Sequence, residues 1–213
     1  MIGFYSYTVI LTYIGFVCGS IGIYFAANAS PDNGGTTAAI IMLLLAGLCD
    51  MFDGKVAKTK KDRTPQECRF GIQIDSLSDM VCFGLLPPII AFSAGLRTPA
   101  HIAIFSCFSL AALIRLAYFN VTEEDRQQVT SERRKLYEGL PVTSTALIIP
   151  LLFCFRKDLA GAFPYVGGAV YGLIALAFIT KFHLKKPQMR AMLVFILIGL
   201  AELILLIFKH RHS

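Results

Sequence analysis

Apolar residues run along this chain in seven long stretches, at roughly 6–27, 36–54, 71–96, 99–120, 140–156, 162–181 and 189–208, with short polar connections between them. A helix needs about 20 residues to cross the hydrocarbon core of a bilayer, and most of the stretches reach that length, so the pattern predicts membrane-spanning helices. The fifth stretch is short; tilting, or interfacial anchoring by Phe153 and Phe155, accommodates it. The expected fold class is therefore all-α, a polytopic transmembrane bundle of six to seven spanning helices, with residues 1–213 forming a single integral membrane domain. The first stretch lacks a basic n-region and is read as a span, not as a secretory signal. No internal repeat is visible. Gly15 and Gly19 form a GxxxG in the first stretch, a spacing that allows close helix contact; a homodimer is the oligomer expected.

Composition agrees with the lipid reading. Hydrophobic residues make up 55% of the 213 residues and charged ones only 16%, whereas a soluble domain carries about a quarter charged residues. The formal charge of +6 suits a bilayer surface and anionic substrates. Nucleic acid is excluded as a partner, because the basic residues flank membrane segments. Six scattered cysteines show no CxxC and no ligand spacing with histidine, and read as small packing residues. His101, His183, His210 and His212 lie near segment ends and form no constellation.

Charge also orients the chain. If all seven stretches span, the connections 55–70, 121–139 and 181–190 share one side and hold 14 of the 20 Lys and Arg, against five on the other side (Arg97, Arg156, Lys157, Lys209 and Arg211). The positive-inside rule places the long basic loops in the cytoplasm. The basic tail then falls outside, which runs against the rule and makes the seventh stretch the weakest span.

Four carboxylates carry the candidate chemistry. Asp50 and Asp53 close the second stretch at i, i+3, and Asp75 and Asp79 open the third at i, i+4. Each pair lies on one helical face, and a short connection makes the two helices antiparallel neighbours, so all four can converge. An aspartate costs about 2.5–3.5 kcal/mol at the centre of a spanning helix and less near its ends. Four together call for counter-charge, and hard oxygen ligands suit two divalent cations such as Mg²⁺ or Mn²⁺. Gly54, Ala57 and Gly71 keep the carboxylate-bearing faces small, which leaves room for a bulky ligand. Lys58 falls two turns after Asp50 and can reach a phosphate from the same face.

The run Asp50-x2-Asp53-Gly54-x2-Ala57-Lys58, followed by Gly71-x3-Asp75-x3-Asp79, resembles the signature of the CDP-alcohol phosphotransferase family at seven of its eight fixed positions. The resemblance implies that Asp50, Asp53, Asp75 and Asp79 hold two metal ions, that Asp79 is also the general base, and that Gly54, Ala57, Lys58 and Gly71 shape the CDP-lipid site. Two departures stand out. Lys58 occupies a position where the family usually has arginine, and lysine gives up bidentate phosphate binding. The spacer 59–70 has twelve residues, about four more than usual. Arg63 or Arg69 is the alternative phosphate ligand across that longer spacer.

Three further stretches resemble the serine-using branch of the family: Asp75-Ser-Leu-Ser-Asp79-Met-Val-Cys-Phe-Gly84, Arg115-Leu-Ala-Tyr-Phe119-Asn120 and Gly139-Leu-Pro141. The branch implies CDP-diacylglycerol and L-serine as substrates; with the charge bias of the loops, catalysis is expected at the cytoplasmic face of the cell membrane. Arg115 lies inside the fourth stretch and should face a polar cavity. It could hold the serine carboxylate, pair with a site aspartate or contact a lipid phosphate. Asn120 either caps its segment or binds substrate. Glu138 could meet the serine ammonium, and Arg133-Arg134-Lys135 reads as a solvated, lipid-facing surface. A phosphorylated acceptor such as glycerol 3-phosphate is the alternative, with loop 121–139 supplying cations. A cation transporter is the other, disfavoured because its sites would sit near the midplane on broken helices.

Overall fold

The structure, a computed structural model, describes residues 3–30, 34–129, 136–185 and 189–211. Nine helices are present among them: α1 (Ile10–Ala27), α2 (Gly35–Ala57), α3 (Pro65–Asp79), α4 (Leu86–Ser93), α5 (Pro99–Val129), α6 (Thr145–Cys154), α7 (Arg156–Leu159), α8 (Phe163–Ile179) and α9 (Met189–Arg211). Six helical runs are long and apolar enough to cross a membrane: Tyr7–Ala27, Gly35–Ala57, Pro65–Ser93, Pro99–Arg126, Arg156–Ile179 and Ala191–Lys209. The shorter Val142–Cys154 is the fifth stretch of the sequence. The all-α bundle is as expected, with one addition. Strands β1 (Leu136–Glu138) and β2 (His183–Lys185) pair antiparallel, Tyr137 opposite Leu184, and tie two basic connections together.

Helix ends depart from the hydropathy limits where local chemistry overrides them. The third stretch begins as a helix at Pro65, six residues before its apolar start, because Thr64 and Glu67 form a capping box with Pro65 at the first helical position. The Thr64 hydroxyl accepts the Glu67 N–H at 3.2 Å, and the Glu67 carboxylate accepts the Thr64 N–H at 2.9 Å. The same helical run continues from α3 through a π turn, Met80–Leu85, into α4. Pro88 has no N–H to give the carbonyl of Gly84; the hydroxyl of Ser109 on α5 bonds that carbonyl instead, at 2.8 Å.

α1 lies in the groove between α2 and the α3–α4 run. A Cβ at Gly19 would stand 2.5 Å from Cys82 Sγ, and one at Gly22 would stand 2.9 Å from Leu86 Cδ2. Gly15 likewise faces Cys49. The GxxxG face is therefore occupied within the chain, and the expected homodimer loses its support there. On the other flank, Phe105, Phe108, Tyr171 and Phe178 join α5 to α8 with ring centroids 5.0–5.4 Å apart, and the Tyr171 hydroxyl donates to Pro87 O at 2.6 Å.

The weakest expected span is long enough to cross. α9 runs from the β2 end of the bundle to the opposite end. There Lys209 pairs with Asp158 and donates to Cys154 O at 2.9 Å. This pairing offsets one of the positive charges that seemed misplaced outside.

Candidate active site

The site lies between the end of α2 and α3, both of which pack against the N-terminal helix α1. Asp50 and Asp53 come from the last two turns of α2. Asp75 and Asp79 come from α3, which places them well inside a helix that begins at Pro65 instead of at a helix start. Asp50, Asp75 and Asp79 each present an oxygen within 4.8 Å of the others. Asp53 stands beside Asp75, and Asp50 beside Asp79. Asp53 and Asp79 are each 9% exposed, so the cluster is turned away from bulk water. Carboxylates held this close and this dry repel one another unless a cation or protons intervene. The donor set is all oxygen, as Mg²⁺ and Mn²⁺ require, and the residues fit a divalent ion.

The cleft is lined by the four aspartates with Thr12, Gly15, Ser78 and Cys82 among their neighbours. α1 therefore contributes a wall that the sequence analysis did not assign. Thr12 Oγ1 donates to Asp53 Oδ2 at 3.1 Å, and both residues are buried. A hydroxyl inside an apolar stretch was the only signal for Thr12, and it is weak without knowing which helix it faces. Ser78 and Cys82 donate to carbonyls of the same α1, Thr12 O at 3.5 Å and Gly15 O at 3.4 Å. The π turn that follows Asp79 lets Cys82 and Phe83 share the cleft with Ser78 and Asp79.

None of the four residues expected to shape the CDP-lipid site lines the carboxylate cleft itself. Gly54 is exposed, and a Cβ there would meet nothing within 4 Å, so that face of α2 is open. Ala57 is the last residue of α2 and is half-buried; Lys58 caps the helix and is exposed. Gly71 lies one turn before Asp75 and is covered by the guanidinium of Arg63. The connection itself is only residues 58–64, because the capping box draws the rest of the long spacer into α3. Lys60 bonds Glu67 at 2.7 Å, which holds the lysine above its ordinary pKa.

The two residues expected at an acceptor site part company. Asn120 is in the middle of α5, which continues to Val129, so it caps nothing; its Oδ1 accepts from Ser76 Oγ at 2.8 Å, next to Asp75. Arg115 is buried, but it does not line the carboxylate cleft. Its Nε donates to Leu140 O at 3.3 Å, bracing the connection ahead of α6. Glu138 accepts from the Tyr118 hydroxyl at 2.7 Å, and Lys181 lies over the Tyr118 ring. The run Arg133-Arg134-Lys135 falls outside the described residues.

Comparison with known proteins bears on this arrangement. The sequence model of the CDP-alcohol phosphatidyltransferase family matches residues 7–180. The chain is 40% identical over 119 residues to a CDP-diacylglycerol–serine O-phosphatidyltransferase of Saccharomyces cerevisiae, covering 54% of this chain and 42% of that protein. It is 33% identical over 150 residues to an archaetidylserine synthase of Methanothermobacter thermautotrophicus, covering 69% and 60%. A Mycobacterium leprae protein with the same description as the yeast one is 29% identical over 140 residues, covering 65% and 43%. The chain thus spans about half the length of the curated relatives it matches. No solved structure gives a significant match.

Proposed function

Because this chain belongs to the CDP-alcohol phosphatidyltransferase family, we propose that it transfers the phosphatidyl group of CDP-diacylglycerol to the hydroxyl of L-serine, giving phosphatidylserine and CMP. The observation that carries the reading is the convergence of Asp50, Asp75 and Asp79 from two helices, in a family whose relatives carry serine-transferase names. The acyl chains of the donor stay in the bilayer while the CDP head enters the mouth at Gly54, Ala57, Lys58 and Gly71. Asp50, Asp53, Asp75 and Asp79 would hold two Mg²⁺ or Mn²⁺ ions, whose charge would neutralise the diphosphate and the departing CMP. Asp79 accepts the proton of the serine hydroxyl. The serine oxygen forms its bond to the lipid-side phosphorus as the bond from that phosphorus to the CMP oxygen breaks, and the electron pair leaves with CMP. Asn120, bonded to Ser76 of α3, is the residue we assign to orient the acceptor. Arg115 acts from beneath, by holding the α5–α6 connection. The site faces the cytoplasm at the cell membrane, by the charge asymmetry of the loops.

CMP release decides the matter. Purified protein in micelles of CDP-diacylglycerol with a divalent salt should release CMP with serine alone and not with glycerol 3-phosphate alone. Chelation should stop release, and Mg²⁺ or Mn²⁺ should restore it. Turnover with glycerol 3-phosphate only would replace the acceptor. Full turnover after exhaustive chelation would refute the metal assignment.

A further inference from the structure

Arg63 lies in the spacer that is longer than the family pattern, and its guanidinium is folded back over Gly71 of α3. A Cβ added at Gly71 would stand 2.7 Å from one terminal nitrogen of Arg63 and 4.0 Å from its Cζ. On a helix, residues at i, i+4 and i+8 project to one side, so the direction of that absent Cβ is the side on which Asp75 and Asp79 project, one and two turns further on. The guanidinium therefore lies over Gly71, one turn before Asp75 and just outside the residues that line the carboxylate cleft. Its bonding is incomplete. One terminal nitrogen donates to Glu67 O at 3.2 Å, while Nε is buried with no hydrogen-bond partner. Arg63 forms no salt bridge among the described residues, and its charge reaches Glu67 only through space. Val9 also lies against this face of Gly71, and the adjacent Thr8 is buried with its hydroxyl likewise unpartnered.

A buried guanidinium nitrogen without an acceptor is costly, and its planar fork matches the two oxygens of a phosphate. We propose that Arg63 binds the diphosphate of the CDP-lipid donor, supplying the bidentate contact that a lysine at position 58 cannot make. Lys58, exposed at the end of α2, adds a point charge at the rim. Gly71 is small so that the guanidinium can lie flat there. The assignment rests on the donor being a CDP-lipid, as proposed above, but it is independent of which alcohol is the acceptor.

The test uses the full chain in detergent micelles with Mg²⁺ present. Binding of CDP is measured by calorimetry, and the KM values for CDP-diacylglycerol and for serine by CMP release. Arg63→Gln should weaken CDP binding and raise the KM for CDP-diacylglycerol by about tenfold or more, with the KM for serine within about twofold. Arg63→Lys should recover only part of the loss, because a point charge replaces the fork. Gly71→Ala, which pushes the guanidinium aside, should reproduce the donor-side defect with Arg63 intact. A purely structural Arg63 would lower the melting temperature and kcat without this donor-selective shift. CDP affinity within twofold of wild type in Arg63→Gln would overturn the proposal. If that variant does not fold, wild-type CDP affinity in both Arg63→Lys and Gly71→Ala would overturn it equally. Wild-type protein that binds CDP yet uses another alcohol refutes the serine reading and leaves Arg63 to be judged on its own variants.

Discussion

Asp79 and Asp50 are neighbours in space but sit on different helices, and their surroundings separate their proposed roles. Asp79 lies one turn deeper than Asp75 along α3 and is almost fully buried, in the cleft it shares with Ser78 and Cys82. Asp79→Asn keeps the size and one ligand oxygen but removes the base, so kcat should fall by about 10²–10⁴-fold while CDP-lipid still binds. Asp50→Asn should weaken metal and nucleotide binding as well, and equal loss of CDP-lipid binding in both variants at matched metal would contradict that division. Thr12 offers a second check at this scale. Its hydroxyl orients Asp53 from α1 at 3.1 Å, and groups that orient a metal ligand typically carry about 10–100-fold in metal affinity. Thr12→Val should raise the Mg²⁺ concentration for half-maximal CMP release by about tenfold without changing the maximal rate as much. An unchanged Mg²⁺ titration would show that Asp53 needs no such support.

At the scale of elements, α9 carries a polar residue that the site does not use. Glu202 is 4% exposed within an otherwise apolar helix, and both carboxylate oxygens lack a hydrogen-bond partner among the described residues. Its own carbonyl receives Cys154 Sγ of α6 at 3.7 Å, so the residue faces the neighbouring helix. An unsatisfied buried polar group costs about 1–3 kcal/mol. Glu202→Met, similar in volume and apolar, should therefore raise thermal stability in detergent by that order and leave CMP release unchanged. A drop in melting temperature would point to a partner for the carboxylate in the membrane. The β1–β2 ribbon is held differently. Gly139 follows β1 with φ +74°, and a Cβ there would lie 2.9 Å from Thr180 O. Only glycine suits that turn, which explains why Gly139-Leu-Pro141 stood out in the sequence before any role for it was visible.

For the whole molecule, the β1–β2 ribbon ties two of the basic connections together, and α9 carries Lys209 from the β2 side to its pair with Asp158. That arrangement makes topology testable from one exposed position. With native cysteines removed, Lys61→Cys should resist a membrane-impermeant thiol reagent in intact cells and react after permeabilisation, because the loop lies in the cytoplasm by charge bias. Rapid labelling of intact cells would reverse the orientation and place the carboxylate cleft outside.

Hydropathy determined where the apolar runs lie and their order, because crossing a bilayer imposes length and apolarity on every segment independently of its neighbours. The i, i+3 and i, i+4 spacings determined that Asp50, Asp53, Asp75 and Asp79 would share faces, since the helical period is local. The start of α3 at Pro65 was also legible, in the Thr64-Pro65-Gln66-Glu67 capping sequence, but hydropathy limits hid it because a cap is polar. The rest was decided by tertiary contact. That Thr12 supports Asp53 and that Gly15 and Gly19 face helices of their own chain depend on where α1 docks. That Arg115 braces Leu140 instead of lining the cleft, and that Arg63 rather than the motif's own lysine lies over Gly71, depend on how helices rotate and loops fold back. No period along the chain encodes such long-range choices; they follow from which faces fit together when the helices pack.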